Sequence, residues 1–324
     1  MRAHLGTKAY LGAACAALLA AALLAGCGGG GEQGDATAAA NPPAAPLEDL
    51  VRLSGNIPRV RPADFAQPTA EYRRYVEGEL RSMQGELAAL RTAVAAGDLA
   101  AARRAWLAAD ERYESIGAAY GAFGDLDAAI NGGSGGLRGG VDSPDFTGLH
   151  RVELALWEHG STAEAAPFVA RLDRDVAALR RSVPTIRIEP LEYVLRGHEV
   201  LEGSLDLQLS GRESPWSGSA LRAVRGNLHG TEVVLATLRP LIARRSPVVA
   251  QRSEASLAAL GRALRRLEGP DGSLPRWDEA PERARTEVAG LTAAAAEQLA
   301  YVPEVIDPRA PPARKSAIGT VAAE

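Results

Sequence analysis

The chain is 324 residues long and carries 36 Lys and Arg against 40 Asp and Glu, a formal charge of −4. That mildly acidic balance argues against nucleic-acid binding and against an electrostatic grip on anionic lipid. Aromatic residues make up only 5% of the chain, whereas alanine, leucine, arginine and glutamate dominate, so the expected fold class is all-α.

Arg2, His4 and Lys8 precede an apolar run from Leu11 to Ala25 that closes as Leu24-Ala25-Gly26-Cys27. A basic start, a run too short to span a bilayer comfortably and the Gly28-Gly29-Gly30-Gly31 that follows read as a signal peptide over residues 1–27. Its closing residues resemble a bacterial lipobox, which implies cleavage before Cys27 and a diacylglycerol on the Cys27 sulfur. An ordinary secretory peptide cut at a small-residue site is the alternative. Loss of Cys15 with the signal leaves one cysteine, so neither an intrachain disulfide nor a thiol-based metal site is expected. Loss of Arg2 and Lys8 moves the formal charge from −4 to −6. Residues 28–48, rich in Gly, Ala, Asn and Pro and without periodicity, are expected to be a flexible tether. The expectation is an exported protein, lipid-anchored to a bacterial membrane outside the cytoplasm.

Residues 49–303 predict one helical domain. Val51 to Pro68 holds several prolines and reads as an extended lead-in. Thr69 to Ala95 is a long helix with Tyr72, Tyr75, Val76, Leu80, Leu87 and Leu90 on its apolar side, and Gly97-Asp98 breaks it. Leu99 to Phe123 is the second helix. A turn, Asp125 to Asn131, leads into a glycine-rich loop, Gly132 to Gly140, and then a helix through Phe146 to Trp157. Thr162–Val183, Pro190–Leu209, Ser219–Ala243, Val248–Leu267 and Ala280–Leu299 follow, separated by proline and glycine breaks. Seven or eight helices with short connections predict two stacked helical bundles. No β-alternation and no further apolar span of membrane length occurs. The proline- and alanine-rich residues 304–324 are expected to be a disordered tail.

Four histidines remain after the signal: His150, His159, His198 and His229. His150 and Glu153 are three apart on one helix and share a face, which makes an imidazole and a carboxylate half of a metal site. H-x-x-E also arises by chance, and on spacing alone a helix presenting both to solvent explains it as well. Glu114, Asp125, Asp127 and Glu213 are further candidate ligands, though a lone acid is more often a solvated surface residue. Carboxylates with one imidazole make a hard, oxygen-rich set suited to iron, calcium or manganese. Catalytic patterns are missing. His198-Glu199 runs on to Glu202 instead of the second histidine of H-E-x-x-H, and no G-x-S-x-G, P-loop or dinucleotide fingerprint is found. The glycines at 132–140 read as a connector, and an enzyme is poorly supported.

Several motifs in order carry a resemblance. Trp106 with Tyr113-Glu114-Ser115-Ile116, Phe123-Gly124-Asp125-Leu126-Asp127-Ala128-Ala129-Ile130 and Thr147 through Trp157 resemble the imelysin-like domain of the EfeM/EfeO iron-uptake lipoproteins. Ser210-Gly211-Arg212-Glu213, Asn227-Leu228-His229-Gly230 and Leu238-Arg239-Pro240-Leu241-Ile242 continue the match. Together they are far more specific than H-x-x-E alone. The resemblance implies two helical bundles with a metal-binding cleft between them. It implies iron, or another divalent metal, bound there for a membrane iron permease alongside a haem-peroxidase-like partner. Carried over by position, the ligands are His150 and Glu153, with Glu114 and Glu213 as further cleft acids. The family often has a glutamate where this chain has Gly117 and an aspartate where it has Asn131, which should weaken the hold on a trivalent cation. Asp125 or Asp127 could compensate. The tether is too short for the extra cupredoxin-like domain of the longer form and lacks its Cys and His ligands, so the chain looks like the short form. Two other readings stay open. One is an envelope metallopeptidase of imelysin type. The other is an envelope polysaccharide-binding lipoprotein, for which only the arginines of Arg171 to Arg187 are candidates and a solvated helix face explains them too.

Overall fold

A computed structural model describes residues 59–307. Apolar side chains three and four positions apart build its first long helix, α1 (Ala66–Ala96), whose Tyr72, Val76, Leu80, Met83, Leu87 and Leu90 are all fully buried. Gly97, at φ +72°, ends α1 in the left-handed conformation, and the Asp98 carboxylate accepts from the Ala101 N–H (2.9 Å) to start α2 (Leu99–Glu114). α3 (Asp125–Asn131), α4 (Gly148–Glu153) and α5 (Thr162–Ser182) follow, and α1, α2, α4 and α5 pack as a first bundle. α6 (Pro190–Gly203), α7 (Ala220–Arg245), α8 (Pro247–Arg265) and α9 (Glu282–Leu299) form a second, with α10 (Tyr301–Ile306) lying on α6 and α7. α4 and α6 each continue into a π turn, Leu154–Glu158 and Ser204–Gln208. Among the described residues there are ten α-helices and no strand, and no helix is long and apolar enough to cross a membrane. The all-α, two-bundle expectation holds.

Boundaries shift for local reasons. The expected extended lead-in to Pro68 is instead a 3₁₀ turn, Pro62–Phe65, and α1 already begins at Ala66. Pro62 and Pro68 occupy turn positions where the missing N–H costs nothing. The second helix stops at Glu114 instead of Phe123, and a 3₁₀ segment, Gly117–Ala122, takes over. Gly117 and Gly121 disfavour α-helix, and the Tyr113 carbonyl accepts from the Ile116 N–H at 3.0 Å and from the Tyr120 hydroxyl at 2.8 Å. At the other end α10 runs past Pro303 and buries Val305 and Ile306, so ordered packing extends beyond the boundary expected at 303. The signal peptide, Cys27 and the tether, and residues 308–324, lie outside the described residues.

The bundles meet where α7 lies against the C-terminal turn of α2. A Cβ on Gly230 would stand 2.0 Å from the Ser115 carbonyl oxygen, and one on Gly226 would stand 2.6 Å from that of Glu111. Only hydrogen fits there. Glu111 of α2 flanks the contact by pairing with Arg222 (3.2 Å) and Arg225 (2.5 Å) of α7. Gly230→Ala is therefore expected to lower stability by about 1–3 kcal/mol or more, the cost of overpacking a close contact. Chemical denaturation tests this, and an unchanged midpoint would show that the helices do not touch through backbone.

Candidate functional site

Gly148 sets the position of α4. Its φ of +77° is unfavourable for other residues, and a Cβ would stand 2.2 Å from the Ile130 carbonyl oxygen, so the helix start presses directly on the end of α3. Thr147 Oγ1 donates to the Ala129 carbonyl (3.1 Å), and the buried Trp106 ring N–H donates to the Leu149 carbonyl (2.9 Å), tying α4 to α2 as well. His150 and Glu153 then face inward: they are only 3% and 0% exposed, and His150 Nδ1 lies 3.4 Å from Glu153 Oε2. A helix presenting this pair to solvent is ruled out.

Other elements bring their polar groups to the same place. The loop between α6 and α7 contributes the Ser217 N–H, which donates to Glu153 Oε1 at 2.7 Å, and also Glu213, whose Oε1 accepts from Asn131 Nδ2 at 3.3 Å. Arg276 clamps that loop by donating to the Trp216 and Ser217 carbonyls (3.1 and 2.6 Å). Glu114, buried at the end of α2, accepts from Asn227 Nδ2 (2.9 Å) on α7 and from Gln208 Nε2 (3.0 Å) in the second π turn. Such single π turns commonly sit at functional sites, because they re-aim one side chain of a helix. One turn before Glu114, Asp110 is 1% exposed and feels the charges of His150, Glu153 and Glu213.

Of the residues the sequence nominated, the structure brings together His150, Glu153, Glu114 and Glu213. Asp127 is half-buried at the edge and accepts the Tyr113 hydroxyl at 2.7 Å, whereas Asp125 is exposed at the start of α3. Position 117 does face the cluster: a Cβ there would come within 3.2 Å of Val200 and 3.6 Å of Asn227 Oδ1. Asp110, Gln208, Asn227 and Ser217 escaped sequence reading as site residues. Asp110 left one signal, being four residues before Glu114 and so on the same helical face. Of the arginines between 171 and 187, Arg171 pairs with Asp175 (3.5 Å) and Arg187 with Glu189 (2.7 Å), while Arg180 donates to Gln84 of α1 (2.6 Å).

Asp110, Glu114, His150 and Glu153 are closed off from solvent, and Glu213 and Asn131 at the edge are partly buried. An open recess of about 510 Å³ lies between the bundles, lined by Glu79, Glu111, Arg112, Arg225, His229 and Glu232, and it shares no residue with the buried group. Among the described residues no three His, Asp or Glu side chains converge at coordination distance. The donor chemistry nevertheless suits a hard cation, since Asp110 Oδ2, Asn131 Oδ1, Gln208 Oε1 and Glu213 Oε2 are all buried without a hydrogen-bond partner.

Comparison with known proteins places the chain. The imelysin family model, a peptidase M75 model by designation, matches residues 68–302. The chain belongs to the imelysin family. It is 27% identical over 238 residues to the iron uptake system component EfeM of Pseudomonas syringae, covering 74% of this chain and 84% of that one. It is also 27% identical over 273 residues to the iron uptake system component EfeO of Yersinia pseudotuberculosis, covering 84% of this chain and 70% of that one. The fold is shared with a crystal structure from Parabacteroides distasonis assigned as an iron-regulated protein A precursor, at a TM-score of 0.55 and 13% identity over 81% of this chain and 100% of that one.

In this imelysin domain three acids of the cluster, Asp110, Glu114 and Glu213, are held toward their neutral forms. Burial pushes the Asp110 carboxyl up to about 8; the nearby His150 opposes this and Glu153 and Glu213 add to it. Glu114 is raised well above the usual carboxylate range by burial, then by Glu213 and Asp110, against the opposing amide of Asn227. Glu213 is raised by burial too, with His150 and the Asn131 amide opposing. For His150 burial favours the neutral ring, but Glu153, Glu213 and Asp110 together outweigh it and raise its pKa.

The sign of the pH dependence follows. Unfolded, Asp110 releases its proton near 3.8, and folded it does so near 8, so between those values the folded state holds more protons. Its contribution to stability is full below the lower value and is lost as pH rises towards the upper one, at up to about 1.4 kcal/mol per pH unit for each retained proton. Metal-free protein is expected to be more stable in mild acid than in mild alkali, and Asp110→Asn should flatten that slope. Denaturant midpoints across this pH window, with equal slopes in both proteins as the contrary result, decide it.

Proposed function

We propose that this chain is the lipid-anchored, extracytoplasmic metal-binding component of an iron-uptake system. Iron is its cargo, taken in the cluster of Asp110, Glu114, His150, Glu153 and Glu213 and passed to a membrane permease that works beside a haem-peroxidase-like partner. The observation that carries this is the set of four unpartnered buried oxygens, on Asp110, Asn131, Gln208 and Glu213, contributed by both bundles. Acids whose burial favours the protonated form, as at Asp110, Glu114 and Glu213, are poised to exchange protons for a cation. The names of the relatives support iron over other hard cations.

The family designation as a peptidase has no counterpart in this cluster, which holds one histidine, itself engaged by Glu153. A zinc peptidase needs an open coordination position and a water-activating base facing substrate. We therefore assign the chain binding and transfer, without covalent chemistry.

Calorimetric titration of the protein with ferric citrate, Fe(II), Zn(II) and Cu(II) tests this. Iron is expected to bind with proton release and with affinity that rises with pH, and saturation at a hundred times the dissociation constant should add about 2.7 kcal/mol of stability. His150→Ala with Glu153→Ala is expected to weaken iron binding by at least about a hundredfold, and the near-isosteric Glu213→Gln should weaken it while the fold is kept. Undiminished iron binding in both variants, or none in the wild type, would sink the assignment.

A further inference from the structure

Any cargo of the buried cluster must pass its wall, and most of that wall is fixed. Asp110, Glu114, His150, Glu153 and Asn227 stand on helices. Gly148 presses α4 against α3, and Gly226 and Gly230 press α7 against α2, backbone to backbone. Such close-packed contacts leave no slack. The 210–218 loop is different. It runs between Leu209 and Ala220, both in the core, but its own buried residues, Ser214 and Ser217, are polar. Arg212 and Pro215 are exposed and Trp216 is half-buried, so the loop is a single thickness of chain between Glu153 and water. A segment held by hydrogen bonds with little apolar burial opens at the low end of the free-energy range within a fold. Gly211 (φ +75°) and Gly218 (φ +65°) bracket it with backbone that turns easily.

The loop is held from one place outside the cluster. Arg276, in the connection between α8 and α9, donates from Nη1 to the carbonyls of Trp216 (3.1 Å) and Ser217 (2.6 Å). The neighbouring Trp277 N–H donates to the Gly218 carbonyl at 2.9 Å. Asp278 accepts from the other two nitrogens of Arg276, Nε (3.1 Å) and Nη2 (3.3 Å), which aims the guanidinium fork. Gly218 makes room for it, since a Cβ there would stand 3.0 Å from Arg276 Cζ. The peptide joining Trp216 to Ser217 therefore accepts from Arg276 at its carbonyl and donates to Glu153 at its N–H. Latch and cluster hold opposite edges of one peptide plane.

We propose that the 210–218 loop is the gate through which the cation enters and leaves, and that Arg276, aimed by Asp278, is the positioning residue that latches it. The inference rests on the cluster being the iron site. A latch made in the closed state, empty or loaded, sets how often the gate opens and leaves the affinity alone. Fe(II) binding, and its release into excess EDTA, are followed by stopped flow on the full chain without oxygen. Arg276→Ala is expected to speed both steps about tenfold, the scale of one lost charged donor, and to leave the dissociation constant within about threefold. Arg276→Lys, with one ammonium for two carbonyls, should fall between. Arg276 is 35% exposed, so neither change opens the core. In metal-free protein, amide exchange in residues 210–218 should quicken by the same factor, with α2 and α7 unchanged. Faster release without faster binding overturns the proposal, because a residue that merely shapes the site alters affinity and not entry. Normal iron binding with unaltered rates in Arg276→Ala sinks the gate alone. A wild type that binds no iron sinks the function proposed above, and the gate with it.

Discussion

Backbone contact between α2 and α7 is the constraint on which the remaining structure depends. Two glycines one turn apart, Gly226 and Gly230, let α7 approach until its hydrogens touch the carbonyls of Glu111 and Ser115. At that distance Asn227, between the glycines, reaches across the bundle boundary to Glu114 and also to Ser204 Oγ (3.1 Å). A methyl group at either glycine would push the bundles apart by more than a hydrogen bond tolerates. The same contact brings the α6–α7 loop over α4, where Ser217 meets Glu153.

The acid cluster shows how a protein buries charge at tolerable cost. An isolated carboxylate in such a place would be penalised by several kcal/mol, and this chain meets the penalty in three ways. Amide groups of Asn131, Gln208 and Asn227 donate to Glu213 and Glu114. A backbone N–H serves Glu153, and Asp110 holds a proton up to a pH of about 8. Each device is reversible, which separates this cluster from a structural ion pair. Asn131 shows the local logic: its amide relieves Glu213, where a carboxylate would repel it and demand more cation charge.

Net charge hides local charge. A chain at −4 contains both a buried carboxylate group and a recess lined by Arg59, Arg61, Arg244 and Arg245, because tertiary contacts sort residues that composition averages.

Helix positions and the His150–Glu153 pair were legible in the sequence, because both depend on local periodicity. Tyr72 to Leu90 fall on one face of α1 whatever the chain packs against, and His150 and Glu153 share a face by spacing alone. Order of motifs added Glu114 and Glu213. What escaped was decided by contacts distant in sequence. Only its four-residue spacing from Glu114 distinguishes Asp110 from the solvated acids of other helices until α4 and the 213–217 loop close over it. Nothing in Gln208 shows that a π turn will aim it at Glu114, ninety-four residues away. The early stop of α2 goes with the close approach of α7 and with the Tyr113 carbonyl, which accepts from both the Ile116 N–H and the Tyr120 hydroxyl. Secondary structure and half of the site are properties of spacing, which a sequence states directly. The burial that turns acids into proton holders exists only once two bundles have closed on each other and excluded water.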